Sequence, residues 1–137
     1  MINRRELIDT LEKQHRGLRS DLKQAMQNAK KTLLSETVET LGKFKKDLAE
    51  HLDLENNTFY PDYLALTKAN EKVKKFIDEM IVIGEEITAF LNQYDQAEKI
   101  SASGDKFIPE LERITETLNL RIEMEEEGLY DIYIAIR

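Results

Sequence analysis

Apolar residues recur every three or four positions in four stretches of the chain, and this spacing places them on one face of an α-helix. The stretches contain Ile8, Leu11, Leu18, Leu22, Ala25, Met26 and Ala29; then Val38, Leu41, Phe44, Leu48, Leu52 and Phe59; then Val73, Phe76, Ile77, Met80, Ile83, Ile87, Phe90, Leu91 and Tyr94; and finally Ile108, Leu111, Ile114, Leu118, Ile122, Leu129, Ile132 and Ile136. The pattern predicts four amphipathic helices.

Local signals predict where these helices begin and end. Ser35 is a plausible N-cap for the second helix, and the third is expected to start near Ala69. Pro61 is expected to bend or unwind the end of the second helix, whereas Pro109 suits the first turn of the fourth. The clearest loop is residues 101–105, Ser-Ala-Ser-Gly-Asp.

Short connections between long helices make consecutive helices antiparallel neighbours. The expected fold is therefore all-α, an up-and-down antiparallel four-helix bundle. With 137 residues, the chain is expected to form a single domain over 1–137. The second and fourth helices share a local pattern, but no internal repeat is obvious along the rest of the chain.

Composition excludes several classes of function. The chain has no cysteine, so disulfides, thiolate metal sites and thiol nucleophiles are excluded. A net charge of −7 argues against binding nucleic acid. The longest purely apolar run, Met80-Ile81-Val82-Ile83, is far too short to cross a membrane, and the N-terminus shows no apolar signal core. These features predict a cytoplasmic protein.

Five polar residues fall on the apolar faces. The helical phase places His15 inward on the first helix. On the second helix His51 and Glu55 point inward one turn apart, and on the fourth Arg121 and Glu125 repeat that spacing. Counted from the expected turns at 1.5 Å per residue, all five lie at one height in the bundle.

Burying such a cluster is unfavourable unless its charges are paired or serve a function, so two interpretations remain open. One is a fully paired salt-bridge network. The other is a metal site, because helical bundles build such sites from Glu and His on facing helices. Two imidazoles and two carboxylates suit Fe(II), Mn(II) or Zn(II). The candidate ligands are His15, His51, Glu55 and Glu125.

Three segments carry a more specific pattern: Leu11-Glu12-Lys13-Gln14-His15; His51-Leu52-Asp53-Leu54-Glu55 followed by Phe59-Tyr60-Pro61; and Arg121-Ile122-Glu123-Met124-Glu125-Glu126 followed by Leu129-Tyr130. Through them the chain resembles the hemerythrin-like, or HHE cation-binding, domains over essentially its whole length. The resemblance implies a di-iron or mixed di-metal centre that binds oxygen, senses oxygen or redox state, or handles iron.

The chain departs from the family pattern at two histidine positions. Arg121 stands at the position of the fourth-helix histidine, and Gly84 stands at that of the third-helix histidine. The resemblance thus implies that one half of the di-metal site is kept and the other is lost. Gly84 opens space, and the guanidinium of Arg121 can occupy the vacated metal position between the two carboxylates. Alternatively Glu85 or Glu86 swings inward as a substitute ligand, although their helical phase places both off the inner face.

The expected function is that of a metal-binding domain reduced to one divalent ion (Fe, Mn or Zn), with a sensing, metal-holding or regulatory role. The alternative is a metal-free bundle in which Arg121 replaces a metal and the protein acts by contact with a partner. An enzyme is the third choice, because nothing resembles an acid–base pair beside a substrate cleft. Ile81, Tyr133 and Ile134 are candidates for a surface that contacts a protein partner or a second copy.

Overall fold

The computed structural model describes residues 2–136, and its regular secondary structure is helical. The elements are α1 (Arg4–Lys30), α2 (Leu34–Leu54), a π-helical turn (Glu55–Phe59), α3 (Tyr60–Leu66), α4 (Glu71–Gln93), α5 (Ala97–Ala102), a 3₁₀ turn (Gly104–Lys106), α6 (Phe107–Met124), a second π-helical turn (Glu125–Leu129) and α7 (Tyr130–Ala135). The prediction of an all-helical protein is confirmed. None of the helices in this part of the chain is long and apolar enough to cross a membrane.

The second and third predicted helices start close to the expected positions, but Ser35 is not an N-cap. Ser35 lies inside the first turn of α2, and the N-cap position is held by Leu33 without a side-chain hydrogen bond. Ala69, with a φ of 54°, belongs to the turn before α4. The helix starts after Asn70, whose side-chain oxygen accepts hydrogen bonds from two backbone N–H groups of the first turn. An asparagine can satisfy those groups and an alanine cannot.

The loop predicted at residues 101–105 is also shorter than expected. Its first two residues complete α5, and Gly104 begins the 3₁₀ turn that leads into α6. Gly104 has a φ of 61°, a conformation that glycine adopts without steric cost. Pro109 lies in the first turn of α6, as the sequence predicts.

Both π turns lie within longer helices that continue without a break. The backbone stays right-handed and helical at each junction, so residues 34–66 and 107–135 form two continuous helices. In each turn a tyrosine N–H donates to a carbonyl five residues earlier: Tyr60 to Glu55, and Tyr130 to Glu125. Pro61 therefore follows a widened turn rather than a bend or an unwound end. A proline is not required for this, because no proline follows the second turn.

The two halves of the chain share the same order of π turns and buried positions. In helices 34–66 and 107–135, corresponding residues differ by 70 in number: His51 and Arg121, Glu55 and Glu125, Phe59 and Leu129, Tyr60 and Tyr130, Tyr63 and Tyr133. Buried positions of α1 and α4 correspond at a difference of 69: Ile8 and Ile77, Leu11 and Met80, His15 and Gly84, Leu18 and Ile87, Leu22 and Leu91. The correspondence of buried positions therefore extends beyond the local pattern that was noted in the sequence.

The core consists of two apolar clusters with a polar layer between them. α1 and α4 each pack against α2 and α6. One cluster contains Leu18, Leu22, Leu41, Phe44, Leu48, Ile87, Leu111, Ile114 and Leu118, and the other contains Ile8, Leu11, Phe59, Tyr63, Ile77, Met80, Leu129 and Tyr133. Tyr133, predicted to be exposed, is fully buried, and its hydroxyl donates to Asp62 at 2.6 Å.

Candidate metal centre

The polar layer consists of the five side chains that the helical phase places inward. His15, His51, Glu55, Arg121 and Glu125 are each no more than 2% exposed. One nitrogen from each histidine and one oxygen from each carboxylate all lie within 4.8 Å of one another. Three continuous helices contribute these residues: α1 carries His15, helix 34–66 carries His51 and Glu55, and helix 107–135 carries Arg121 and Glu125.

Each histidine is oriented by a hydrogen bond to the ring nitrogen farther from the centre. His51 Nδ1 lies 2.7 Å from Gln14 Oε1, and His15 Nδ1 lies 2.7 Å from Glu126 Oε2. Because both partners are acceptors, each Nδ1 carries the proton. The two Nε2 atoms face inward, 3.1 Å apart. Such hydrogen bonds orient metal-binding histidines and strengthen their donor nitrogens.

The spacing of the inward donor atoms fits a single cation. His51 Nε2 lies 3.1 Å from Glu55 Oε1, and His15 Nε2 lies 3.6 Å from Glu125 Oε1. A transition-metal ion held at about 2.1 Å separates neighbouring ligand atoms by about 3.0–3.4 Å, depending on its geometry. The first of these distances lies in that range and the second slightly above it, so the residues fit a metal ion of this kind.

The pKa values describe how the same atoms are arranged without an ion. Burial lowers the pKa of His51 to about 3, so its imidazole is neutral near pH 7. Burial also acts to lower the pKa of His15, but its hydrogen bonds and charge interactions with Glu125 and Glu126 outweigh burial and raise it. Protonated His15 can donate from Nε2 to His51. That proton then occupies the space between the donors that a cation would fill.

Glu125 is the carboxyl group whose charge is most affected by this environment. Burial raises the pKa of Glu125 to about 7, and the negative charge of Glu55 adds to the effect. A cation near Glu125 would favour its ionised form, as an opposite charge at short range does in general.

One family model matches most of the chain. The model described as the hemerythrin HHE cation binding domain matches residues 6–133. The chain belongs to this family. The resemblance seen in the sequence is therefore confirmed, and the buried His and Glu residues of this HHE domain form a group that can hold a metal. No match is found among curated proteins or among solved structures.

In this HHE domain a guanidinium lies beside the two candidate carboxylate ligands. Arg121 Nη2 donates to Glu55 Oε1 at 2.7 Å, and Arg121 Nε donates to Glu125 Oε1 at 3.3 Å. Burial acts to lower the pKa of Arg121, but the two carboxylates outweigh it and raise the pKa above its ordinary value. The arginine is therefore charged, and it bridges both carboxylates as the sequence predicts.

Gly84 and Arg121 fit each other closely. A Cβ atom added to Gly84 would lie 2.9 Å from Arg121 Nη1 and 3.4 Å from a methyl carbon of Leu52. Among the described residues, Nη1 has no hydrogen-bond partner and is buried against this glycine. The missing side chain on α4 therefore provides the space that the guanidinium occupies.

This contact predicts an unusual effect of Gly84→Ala. Alanine in place of glycine normally stabilises a helix by up to about 1 kcal/mol. Here the methyl group collides with a guanidinium that two carboxylates hold in place, so we expect a net loss of about 1–2 kcal/mol in urea unfolding. In an Arg121→Ala background the collision is gone, and the same substitution should stabilise.

Gly42→Ala is the matched control, because a Cβ at this exposed position on α2 meets nothing within 4 Å. It should stabilise the protein in either background. Equal gains from Gly84→Ala and Gly42→Ala in the wild type would show that Gly84 is not constrained by Arg121.

Sequence reasoning missed four groups around the centre. Tyr60 donates to Glu125 Oε2 at 3.0 Å, and the Tyr130 hydroxyl lies 3.3 Å from both His15 Nε2 and Glu55 Oε2. Gln14 and Glu126, which orient the histidines, were also missed. All four residues lie in the three sequence segments quoted above. Gln14 and Glu126 are each next to a candidate ligand, and Tyr60 and Tyr130 each come five positions after one, so these segments held the signal that could have found them. Glu85 and Glu86 are exposed on α4 and do not reach the centre.

Proposed function

We propose that this HHE domain binds one divalent transition metal through His15, His51, Glu55 and Glu125. The observation that carries the proposal is the spacing of their donor atoms, 3.1–3.6 Å between neighbours, around a point that is closed to solvent. Two imidazoles with carboxylates are the donor set that Fe(II), Mn(II) and Zn(II) share. Iron is the ion we propose first, because the resemblance to hemerythrin-like proteins implies iron.

The proposed architecture follows from the same residues. We propose that α1, helix 34–66, α4 and helix 107–135 form an up-and-down antiparallel four-helix bundle. We also propose that residues 1–137 make up one domain. The equivalence of the two halves supports this arrangement, because it pairs α1 with α4 and the two π-containing helices with each other.

A single ion is supported by the position of Arg121. Its guanidinium lies within hydrogen-bond distance of both carboxylates. Gly84 and Arg121 are on this side of the centre, so no imidazole is available there to bind a second ion. A second cation would have to displace a fixed positive charge. The same positive charge should also repel the first ion and lower its affinity for the site. We therefore expect weaker metal binding here than at sites that have two histidines and two carboxylates but no arginine nearby.

The role proposed for the bound ion is sensing, metal holding or regulation. Reversible dioxygen carriage draws two electrons from two irons, and one ion does not supply them. The centre is buried between two apolar clusters. Loss or gain of the ion would therefore change the core itself, which suits a regulatory domain.

Metal analysis tests the proposal. Purified protein, first stripped with chelator, is incubated separately with Fe(II) under anaerobic conditions, Mn(II) or Zn(II), desalted and analysed for metal. We expect about one ion per chain for at least one of them, and a value near zero for His51→Ala. A metal content near zero in the wild type would show that the centre is a metal-free salt-bridge network. A value near two would show that other donors replace the lost histidines.

The second candidate function is a metal-free interaction module. The ion pairs of Arg121 favour it, because they already compensate the charge of both carboxylates without a metal. In that case the protein acts by contact with a protein partner or a second copy, and Ile81, which is 37% exposed, remains a candidate contact residue. A cytoplasmic location and the absence of nucleic-acid binding also remain predictions from the sequence.

A further inference from the structure

Tyr130 places a hydroxyl among the donor atoms of the candidate centre. Its oxygen lies 3.3 Å from His15 Nε2 and 3.3 Å from Glu55 Oε2, and the side chain is fully buried. The ring stacks on that of His15, with centroids 5.6 Å apart and an interplanar angle of 11°. The hydroxyl is therefore held at the centre by packing as well as by hydrogen bonding.

The 3.3 Å between the Tyr130 oxygen and His15 Nε2 is a distance expected between neighbouring ligands of one ion. It falls in the range of about 3.0–3.4 Å that separates adjacent donors around a cation at about 2.1 Å. It is also close to the 3.1 Å between the two histidine nitrogens. Glu55 faces Tyr130 with Oε2 and His51 with Oε1, so either oxygen of this carboxylate can take part. By this criterion the hydroxyl oxygen belongs to the same shell of atoms as the histidine and carboxylate donors.

We propose that the Tyr130 hydroxyl oxygen is a fifth ligand of the cation, which allows the centre to hold iron as Fe(III) in addition to the divalent ion proposed above. This inference rests on the proposed metal site. On coordination the phenol loses its proton to solvent and the oxygen binds as phenolate, as tyrosine does in some iron proteins.

A phenolate also brings the charge of the donor set closer to that of a trivalent ion. Two ionised carboxylates and Arg121 together carry one net negative charge at the centre, and a phenolate raises this to two. A more negative set of oxygen donors favours a harder and more highly charged cation. The guanidinium that weakens binding of a divalent ion is thus better balanced when Tyr130 takes part.

Tyr60 is the residue of the other half that corresponds to Tyr130, but its hydroxyl is not placed to bind the ion. Its hydroxyl donates to Glu125 Oε2 at 3.0 Å and accepts from Arg121 Nη2 at 3.3 Å. It faces a guanidinium where Tyr130 faces an imidazole. The internal repeat therefore supplies a matched control, with the same residue type at the same helical position beside the arginine instead of the histidine.

The test uses Fe(III) supplied as its citrate complex to the stripped full-length chain, followed by visible absorption and metal analysis. Iron bound by phenolate absorbs visible light through charge transfer from oxygen to iron. We expect this band in the wild type and in Tyr60→Phe, and its loss in Tyr130→Phe. The affinity of Tyr130→Phe for Fe(III) should fall more than tenfold, whereas its affinity for Zn(II) should change much less.

Resonance Raman spectra of the wild type with ring-deuterated tyrosine provide a test that needs no substitution, in case Tyr130→Phe does not fold. Ring vibrations that shift on deuteration would identify a tyrosine ligand. An iron-loaded wild type without the band would overturn the inference and leave the proposed metal site intact. Retention of the band in Tyr130→Phe, or its loss in Tyr60→Phe, would overturn the assignment to Tyr130. If no ion of any kind binds, the proposed function itself fails.

Discussion

Replacing Arg121 with alanine should lower the free energy of unfolding by about 3–5 kcal/mol, measured by urea denaturation in the presence of chelator. The guanidinium is 2% exposed and donates to Glu55, Glu125 and Tyr60. Its removal leaves two fully buried carboxyl groups without their positive partner. Removing one member of a buried ion pair costs more than the pair contributes, because the remaining charge stays out of water.

The cost of Arg121→Ala should also depend on pH. The pKa of Glu125 is already raised to about 7 in the wild type, and loss of the arginine raises it further. The folded variant then binds more protons than the unfolded chain, so its stability falls as the pH rises. We therefore expect a larger loss at pH 8 than at pH 6.

Arg113→Ala is the control for helix and charge effects, since Arg113 is exposed on the same helix. It should change the unfolding free energy by no more than about 0.5 kcal/mol. A loss of less than about 1 kcal/mol for Arg121→Ala at pH 8 would contradict a buried, paired arginine.

Converting Gly84 and Arg121 to histidine together should raise the metal content from about one ion per chain to about two. The double variant removes the guanidinium and places an imidazole at each position that corresponds to His15 and His51 in the other half. Glu55 and Glu125 would then be shared by two sets of nitrogen donors. Metal analysis after loading with Fe(II) or Zn(II) gives the result directly.

The single variants separate the two contributions. Gly84→His alone should destabilise the fold and gain no metal, because its Cβ would lie 2.9 Å from Arg121 Nη1. Arg121→His alone should bind the first ion more tightly, since it removes the nearby positive charge, but should not hold a second one well. A double variant that still binds one ion would show that the equivalence of the two halves does not extend to ligand geometry.

The pattern along the chain predicted the long helices and the inner faces before the π turns. After the second π turn it placed Ile132 on the inner face, but Ile132 is 55% exposed and Tyr133 is buried instead. Helical phase is a local property, so His15, His51, Glu55, Arg121 and Glu125 could be assigned to the interior by spacing alone. Their common height followed from the rise per residue and the positions of the turns. The pattern did not distinguish Asn70 from Ala69 as the start of α4, because several nearby residues can begin a helix.

Tyr60 and Tyr130 could not be placed in this way, because their position depends on the π turns. On a regular α-helix a residue five positions after Glu55 or Glu125 is rotated by about 140° and would face away from the centre. The wider turn, with its hydrogen bond between residues five apart, returns that residue to the inner face. The periodicity used to assign interior positions assumes 3.6 residues per turn and so misses both tyrosines.

The remaining features of the centre depend on contacts between distant segments. Glu126 reaches His15 from 111 positions away, and Gln14 reaches His51 from 37 positions away, although neither lies on an apolar stripe. The sequence suggested that Gly84 and Arg121 compensate for each other, but only the packing of α4 against α6 brings Nη1 within 2.9 Å of an added Cβ. Such fits depend on how far apart the helix axes lie and how each side chain turns, and helical phase carries no information about either.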